Sequence, residues 1–115
     1  MDPDNLTIDD LITLLKTLDN ESIQIVDRDK NFEFRTKYNF ELDVLIDTVR
    51  QLKKNELIKG PVKDDNPNRK HLLWIFRKKV RKIDCYIKLK IINKCKVAIV
   101  VSFHEWGLGG YNNGK

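Results

Sequence analysis

No apolar run in this 115-residue chain approaches the twenty residues that a bilayer-spanning helix needs, so nothing in it reads as a membrane segment. Cysteine is scarce. Cys85 and Cys95 form no C-x-x-C pair and read as free thiols in a reducing cytoplasm. Histidine is equally scarce: His71 and His104 have no companions at ligand spacing, so no metal site is visible and no cofactor is expected. The opening MDPDNLTIDD is acidic, which argues against a secretory signal or a transit peptide. There are no internal repeats. The length suits one domain with one modest core.

Charge is plentiful, and it is unevenly spread. Residues 1–50 carry 6 basic and 12 acidic side chains; residues 51–115 carry 16 basic and 5 acidic. A face built mainly from the second half would be strongly positive. It would concentrate polyanions and speed their encounter, although a merely solvated basic surface has the same composition.

Periodicity divides the chain into helices first and strands last. Ile8, Leu11, Ile12, Leu15 and Leu18 recur at helical spacing over Leu6 to Leu18, with Thr7 and Asp10 placed as a capping box. Ile23 and Ile25 suggest a short strand. Asn31 is placed to cap a short helix from Phe32, the favoured reading, with a turn at Asp29-Lys30-Asn31 as the alternative. Phe40 to Lys54 carries an apolar stripe of Leu42, Leu45, Ile46, Val49 and Leu52, with Asn39 as N-cap. Gly60-Pro61 is a stop, and Asp64 to Lys70 a polar loop. From Leu72 the period becomes two, which predicts strands over Leu72 to Lys79, Asp84 to Ile92 and Lys96 to His104. The expectation is an α+β domain over 1–106, N-terminal helices packed on a mainly antiparallel C-terminal sheet, followed by a mobile glycine-rich tail at 107–115.

Strand parity then gathers candidate residues. Tyr86, Lys88 and Lys90 share one face of the middle strand, opposite the apolar row Ile87, Leu89 and Ile91. On the last strand, Val97, Ile99, Val101 and Phe103 alternate with Ala98, Val100, Ser102 and His104. Keeping both apolar rows on one side pairs Ile91 with Val97 and Leu89 with Ile99. Tyr86 then faces Ser102, with His104 one diagonal step away and at least partly open. In that setting, replacing His104 should cost little stability. The basic run Arg77, Lys78 and Lys79 and the ring of Trp106 lie close by in sequence. The set suits RNA cleavage without a metal: the 2′-hydroxyl is the nucleophile, histidine is the acid or base, and lysines neutralise phosphate charge. The same residues also fit a solvated strand face, so parity alone leaves both open.

The segments Glu56-Leu57-Ile58-Lys59-Gly60-Pro61, Leu73-Trp74-Ile75-Phe76, Tyr86-Ile87-Lys88-Leu89-Lys90-Ile91 and Val100-Val101-Ser102-Phe103-His104-Glu105 together resemble, in order and spacing, MqsR-type toxins of type II toxin–antitoxin systems. The resemblance covers about residues 40–105. It implies a RelE-like fold and a metal-independent endoribonuclease that cleaves mRNA, free or on the ribosome, and is silenced by a cognate antitoxin. It implies catalytic roles for Lys59, Tyr86 and His104. Arg77, Lys78, Lys79, Lys88 and Ser102 are then the expected RNA-binding residues. A glutamine that some members carry after the strand tryptophan is Ile75 here, and Arg77 and Lys78 are the nearest polar substitutes. A non-catalytic RNA-binding or ribosome-associated module, or an inhibitor of the RelE/ParE superfamily acting by protein contact, remains a competing reading.

Overall fold

The computed structural model describes residues 2–107. It has three helices, α1 (Ile8–Thr17), α2 (Asp29–Tyr38) and α3 (Leu42–Arg50). Five strands, β1 (Ile23–Ile25), β2 (Leu57–Val62), β3 (Leu73–Val80), β4 (Ile83–Ile92) and β5 (Val97–Glu105), form one sheet in the order β1-β5-β4-β3-β2. β1 runs parallel to β5 and the other pairings are antiparallel. The domain is therefore α+β with a mixed sheet. Among the described residues, no helix is long and apolar enough to cross a membrane. Apart from Gly107, the expected tail lies outside the described residues.

One core lies between the helices and one face of the sheet. Leu11 and Leu15 of α1 and Leu45, Ile46 and Val49 of α3 supply the helical side. Trp74 and Phe76, then Ile87, Leu89 and Ile91, then Ala98, Val100 and Phe103 supply the sheet side. Burying each large apolar side chain contributes about 1.5–3 kcal/mol, enough to offset much of the ordering cost of these short helices. The Thr7–Asp10 capping box forms as the spacing implies, with reciprocal bonds of 3.1 Å. Cys85 and Cys95 are both buried and not joined in a disulfide, and burial pushes the Cys85 thiol up to about 12, so it stays protonated.

Several local expectations are corrected. Asn39 does not begin α3. It ends α2 in the left-handed region at φ 54°, a role asparagine tolerates well, and Glu41 precedes α3. The helix expected from Phe32 begins earlier, at Asp29, so Asn31 lies inside it. Lys59-Gly60-Pro61 does not stop a segment: it lies within β2, an edge strand. Gly60 is required there, because a Cβ would come within 2.8 Å of the Leu73 carbonyl oxygen.

The register of the last hairpin also differs, and the difference builds the site. The turn occupies Asn93 to Lys96, so Ile91 pairs with Ala98 and Leu89 with Val100, one residue away from the expected register. Ala98 and Val100 therefore face the core, not the open side. A bulge at Val101 then adds one residue, after which Lys88 pairs with Ser102, Ile87 with Phe103 and Tyr86 with His104. The bulge restores parity in time to turn Phe103 inward and Ser102 and His104 outward.

Asn31 holds that bulge. β1 ends at Ile25, so among the described residues no strand pairs with the outer edge of β5 beyond Val100. The Asn31 side chain takes over the ladder: its amide nitrogen donates to Val101 O (3.1 Å) and Val26 O (2.9 Å), and its oxygen accepts from Phe103 N–H (2.8 Å). A buried amide here satisfies three backbone groups that would otherwise be orphaned.

Candidate nucleic-acid interface

The sheet face away from the helices carries the candidate site. Lys59 pairs with Ile75, Ile75 with Lys88 and Lys88 with Ser102; one row further along, Arg77 pairs with Tyr86 and Tyr86 with His104. Paired residues point the same way, so the register collects Lys59, Tyr86, Lys88, Ser102 and His104 on one face. A cleft of about 430 Å³ opens over Tyr86, Lys88, Ser102 and His104, walled by Arg28 and Lys30 on one side and by the Asp64–Arg69 loop on the other. A smaller hollow of about 160 Å³, containing Lys59, Lys63 and Ile75, adjoins it through Tyr86 and Lys88.

Tyr86 and His104 form the floor. Their rings stack with centroids 5.1 Å apart and planes 10° apart, and Trp106 packs against Tyr86 at 5.9 Å. The partly open histidine expected from the sequence is in fact buried, with 3% of its surface exposed, because it sits directly across from Tyr86 instead of on the diagonal. Its Nδ1 lies 2.9 Å from the Glu105 carbonyl oxygen. A carbonyl can only accept, so Nδ1 carries the proton and Nε2 is left as an unprotonated acceptor in the neutral ring. Burial lowers the imidazole pKa from 6.5; the Glu105 carbonyl pulls the other way, and the positive charges of Lys30, Arg28 and Lys88 lower it further. At neutral pH His104 is therefore an uncharged base.

The cations divide into those aimed at the cleft and those committed elsewhere. Lys88 is half-buried, and burial followed by repulsion from Arg28 lowers its pKa, against the attraction of Asp64 and Asp65. Lys59 is exposed beside the smaller hollow. Arg77 is on the same face, but its guanidinium grips Asp84 at 2.6 Å and lies over the Trp106 ring at 4.3 Å. Lys78 points to the helix side, where it pairs with Glu56 at 2.9 Å. Lys79 is exposed near the hairpin end, opposite Asp84, and does not line the cleft. The structure thus brings together Lys59, Tyr86, Lys88, Ser102 and His104, and leaves the Arg77–Lys79 run at the margin or turned away.

Sequence reasoning missed the walls. Arg28 belongs to the acidic half of the chain, yet it reaches over the bulge to donate from Nη1 to Ser102 Oγ at 3.2 Å. Asp64 and Asp65 place negative charge at the rim of an otherwise basic cleft, with Asp64 3.8 Å from Arg69. Neither feature has a periodic signature, because both depend on where a loop and a helix start meet the sheet. Among the described residues, no group of three or more His, Cys, Asp or Glu side chains is placed to hold a metal ion. No protein-family model matches the chain, and no curated protein matches it.

Proposed function

We propose that this protein is the toxin of a type II toxin–antitoxin pair: a metal-independent, RelE-like endoribonuclease that cleaves mRNA, and whose growth-arresting activity a cognate antitoxin silences. One observation carries the reading. The His104 imidazole, its Nδ1 2.9 Å from the Glu105 carbonyl oxygen, lies stacked on Tyr86 in a cleft that Arg28, Lys30, Arg69 and Lys88 also line. Single-stranded RNA is a fitting guest for such a cleft, since cations hold its backbone and it supplies its own nucleophile.

In this mechanism His104 Nε2 takes the proton from the ribose 2′-hydroxyl as that oxygen bonds to the adjacent phosphorus. The bond from phosphorus to the 5′-oxygen breaks, and the Lys59 ammonium supplies the proton that the leaving oxygen needs. The products are a 2′,3′-cyclic phosphate and a 5′-hydroxyl. Tyr86 fixes the plane of the imidazole by stacking, which keeps Nε2 in one direction. Lys88 and Ser102 bind phosphate.

The depth of His104 favours one rival, a non-catalytic RNA-binding or ribosome-associated module, because 3% exposure leaves little of the residue open to a substrate. Incubating purified protein with a defined RNA in excess EDTA separates the two. The proposal expects cleavage, with 2′,3′-cyclic phosphate ends or their hydrolysis product. Binding without cleavage supports the rival, and cleavage that disappears with chelator and returns with Mg²⁺ contradicts the mechanism. In cells, the intact protein should arrest growth where His104→Ala does not.

A further inference from the structure

We propose that Arg28, Lys88 and Ser102 form an oxyanion pocket that holds the reacting phosphodiester, with Arg28 stabilising the charge that builds on it. This rests on the ribonuclease reading for its catalytic part, but the anion site stands on geometry of its own.

Ser102 is the centre. It is 2% exposed, on the strand face that carries His104, and Lys88 is its cross-strand partner. Its hydroxyl oxygen accepts from Arg28 Nη1 at 3.2 Å, which leaves the hydroxyl proton to be donated elsewhere. Arg28 just before α2, Lys88 on β4 and Ser102 on β5 thus line one cleft, with the guanidinium bonded to the hydroxyl and Lys88 paired across the strands with Ser102. Neither Arg28 nor Lys88 has a carboxylate within 4.0 Å among the described residues. Two cations facing one cleft without a bonded counter-ion repel each other, and an anion between them relieves that repulsion. The acids that do face the cleft, Asp64 and Asp65, come from the opposite wall, where Arg69 already pairs with Asp64.

The position of Arg28 is fixed from below. Its backbone N–H donates to Val26 O at 3.1 Å and its carbonyl accepts from Phe32 N–H at 3.0 Å, so the side chain leaves from the first residue before α2. Asn31, one turn on, grips the same bulge that presents Ser102. Ser102 and His104 are alternate residues of one strand, so their Cα atoms stand roughly 7 Å apart. That spacing seats one phosphate between the donors and the base. Two like-placed alternatives from the basic run are unavailable, since Arg77 is held by Asp84 and Lys78 lies on the other side of the sheet.

The test uses the full chain and two ligands. A short single-stranded oligodeoxynucleotide, which lacks the 2′-hydroxyl and cannot be cleaved, reports anion binding by calorimetry. The matching RNA reports cleavage at saturation. Arg28→Ala should weaken oligodeoxynucleotide binding about tenfold, as expected for one lost charge-assisted contact. Lys16→Ala, an exposed cation on α1, should change it less than about threefold. Cleavage at saturating RNA should fall about 10²–10³-fold in Arg28→Ala, the usual loss of one oxyanion donor, and recover in part in Arg28→Lys. Unchanged binding by folded Arg28→Ala overturns the pocket, whatever the nuclease does. Weakened binding with unchanged saturated cleavage overturns the claim that the bound phosphate is the reacting one. A wild-type protein that binds through Arg28 but cleaves nothing removes the ribonuclease reading and leaves the anion site standing.

Discussion

His104 is where burial and chemistry meet. A histidine near a strand end is expected to be exposed, and an exposed ring could be removed at little cost. Stacked on Tyr86 and largely buried at the cleft, it instead fills space that an alanine cannot, so His104→Ala should lower stability by about 1–3 kcal/mol, measured by denaturant unfolding at pH 7.5. The protonation behaviour gives a second signature. The folded-state pKa is depressed below 6.5, so the unfolded chain binds the histidine proton first as pH falls. This contribution to stability is complete above about pH 6.5 and is lost progressively as pH falls toward the folded-state value. The loss should be absent in His104→Ala. If both proteins lose stability identically across this range, the imidazole is not held neutral by the fold.

At the scale of elements, β5 and its bulge decide what faces the cleft. Much of this was legible in the chain. Helical spacing located α1 and α3, the change of period at Leu72 located β3 to β5, and the alternation of β4 correctly placed Tyr86 and Lys88 together. The common face of Tyr86, Lys88, Ser102 and His104 was expected for a partly mistaken reason. A single alternating strand from Val97 to His104 cannot put Val100 inside and His104 outside with Phe103 inside as well; a bulge is needed, and no residue type announces one. The turn was obscured for a related reason, since Asn93, Lys94 and Cys95 all take positive φ without a glycine among them. Likewise β2 lacks clean alternation and is held by β3, while Arg28 reached the site through tertiary contact alone. Asn31→Ala tests the bulge. It deletes three hydrogen bonds to buried or partly buried backbone groups and should cost about 2–4 kcal/mol, read as a fall in unfolding midpoint. Asn31→Asp should rescue little, because a carboxylate cannot donate to the two carbonyls. A loss below about 0.5 kcal/mol would show that β5 keeps its bulge unaided.

At the scale of the whole molecule, charge is more finely arranged than its division along the chain suggests. The basic second half lends Lys59, Lys88 and Lys90 to the open face, the acidic first half contributes Arg28 and Lys30, and the loop adds Asp64 and Asp65 against them. Affinity for single-stranded RNA should therefore depend on a small number of phosphate contacts, not on the net charge of +5. The logarithm of affinity should fall with the logarithm of salt at about −0.7 per phosphate neutralised, and Lys88→Ala should reduce the slope by about one contact. Lys78→Ala should leave it unchanged, because that ammonium pairs with Glu56 on the helix side. Equal effects of the two substitutions would place the RNA somewhere other than this face. The central claim is that a neutral His104 acts as the base. It is tested most directly by the pH dependence of kcat/KM for RNA cleavage, measured in EDTA for the wild type and for His104→Ala. The wild-type rate should climb with unit slope at acid pH, bend below pH 6.5 and stay level through neutrality, and the variant should be about 10²–10⁴-fold slower with that bend gone. A wild-type profile that falls through the same region as pH rises, or a bend that survives in His104→Ala, would contradict it.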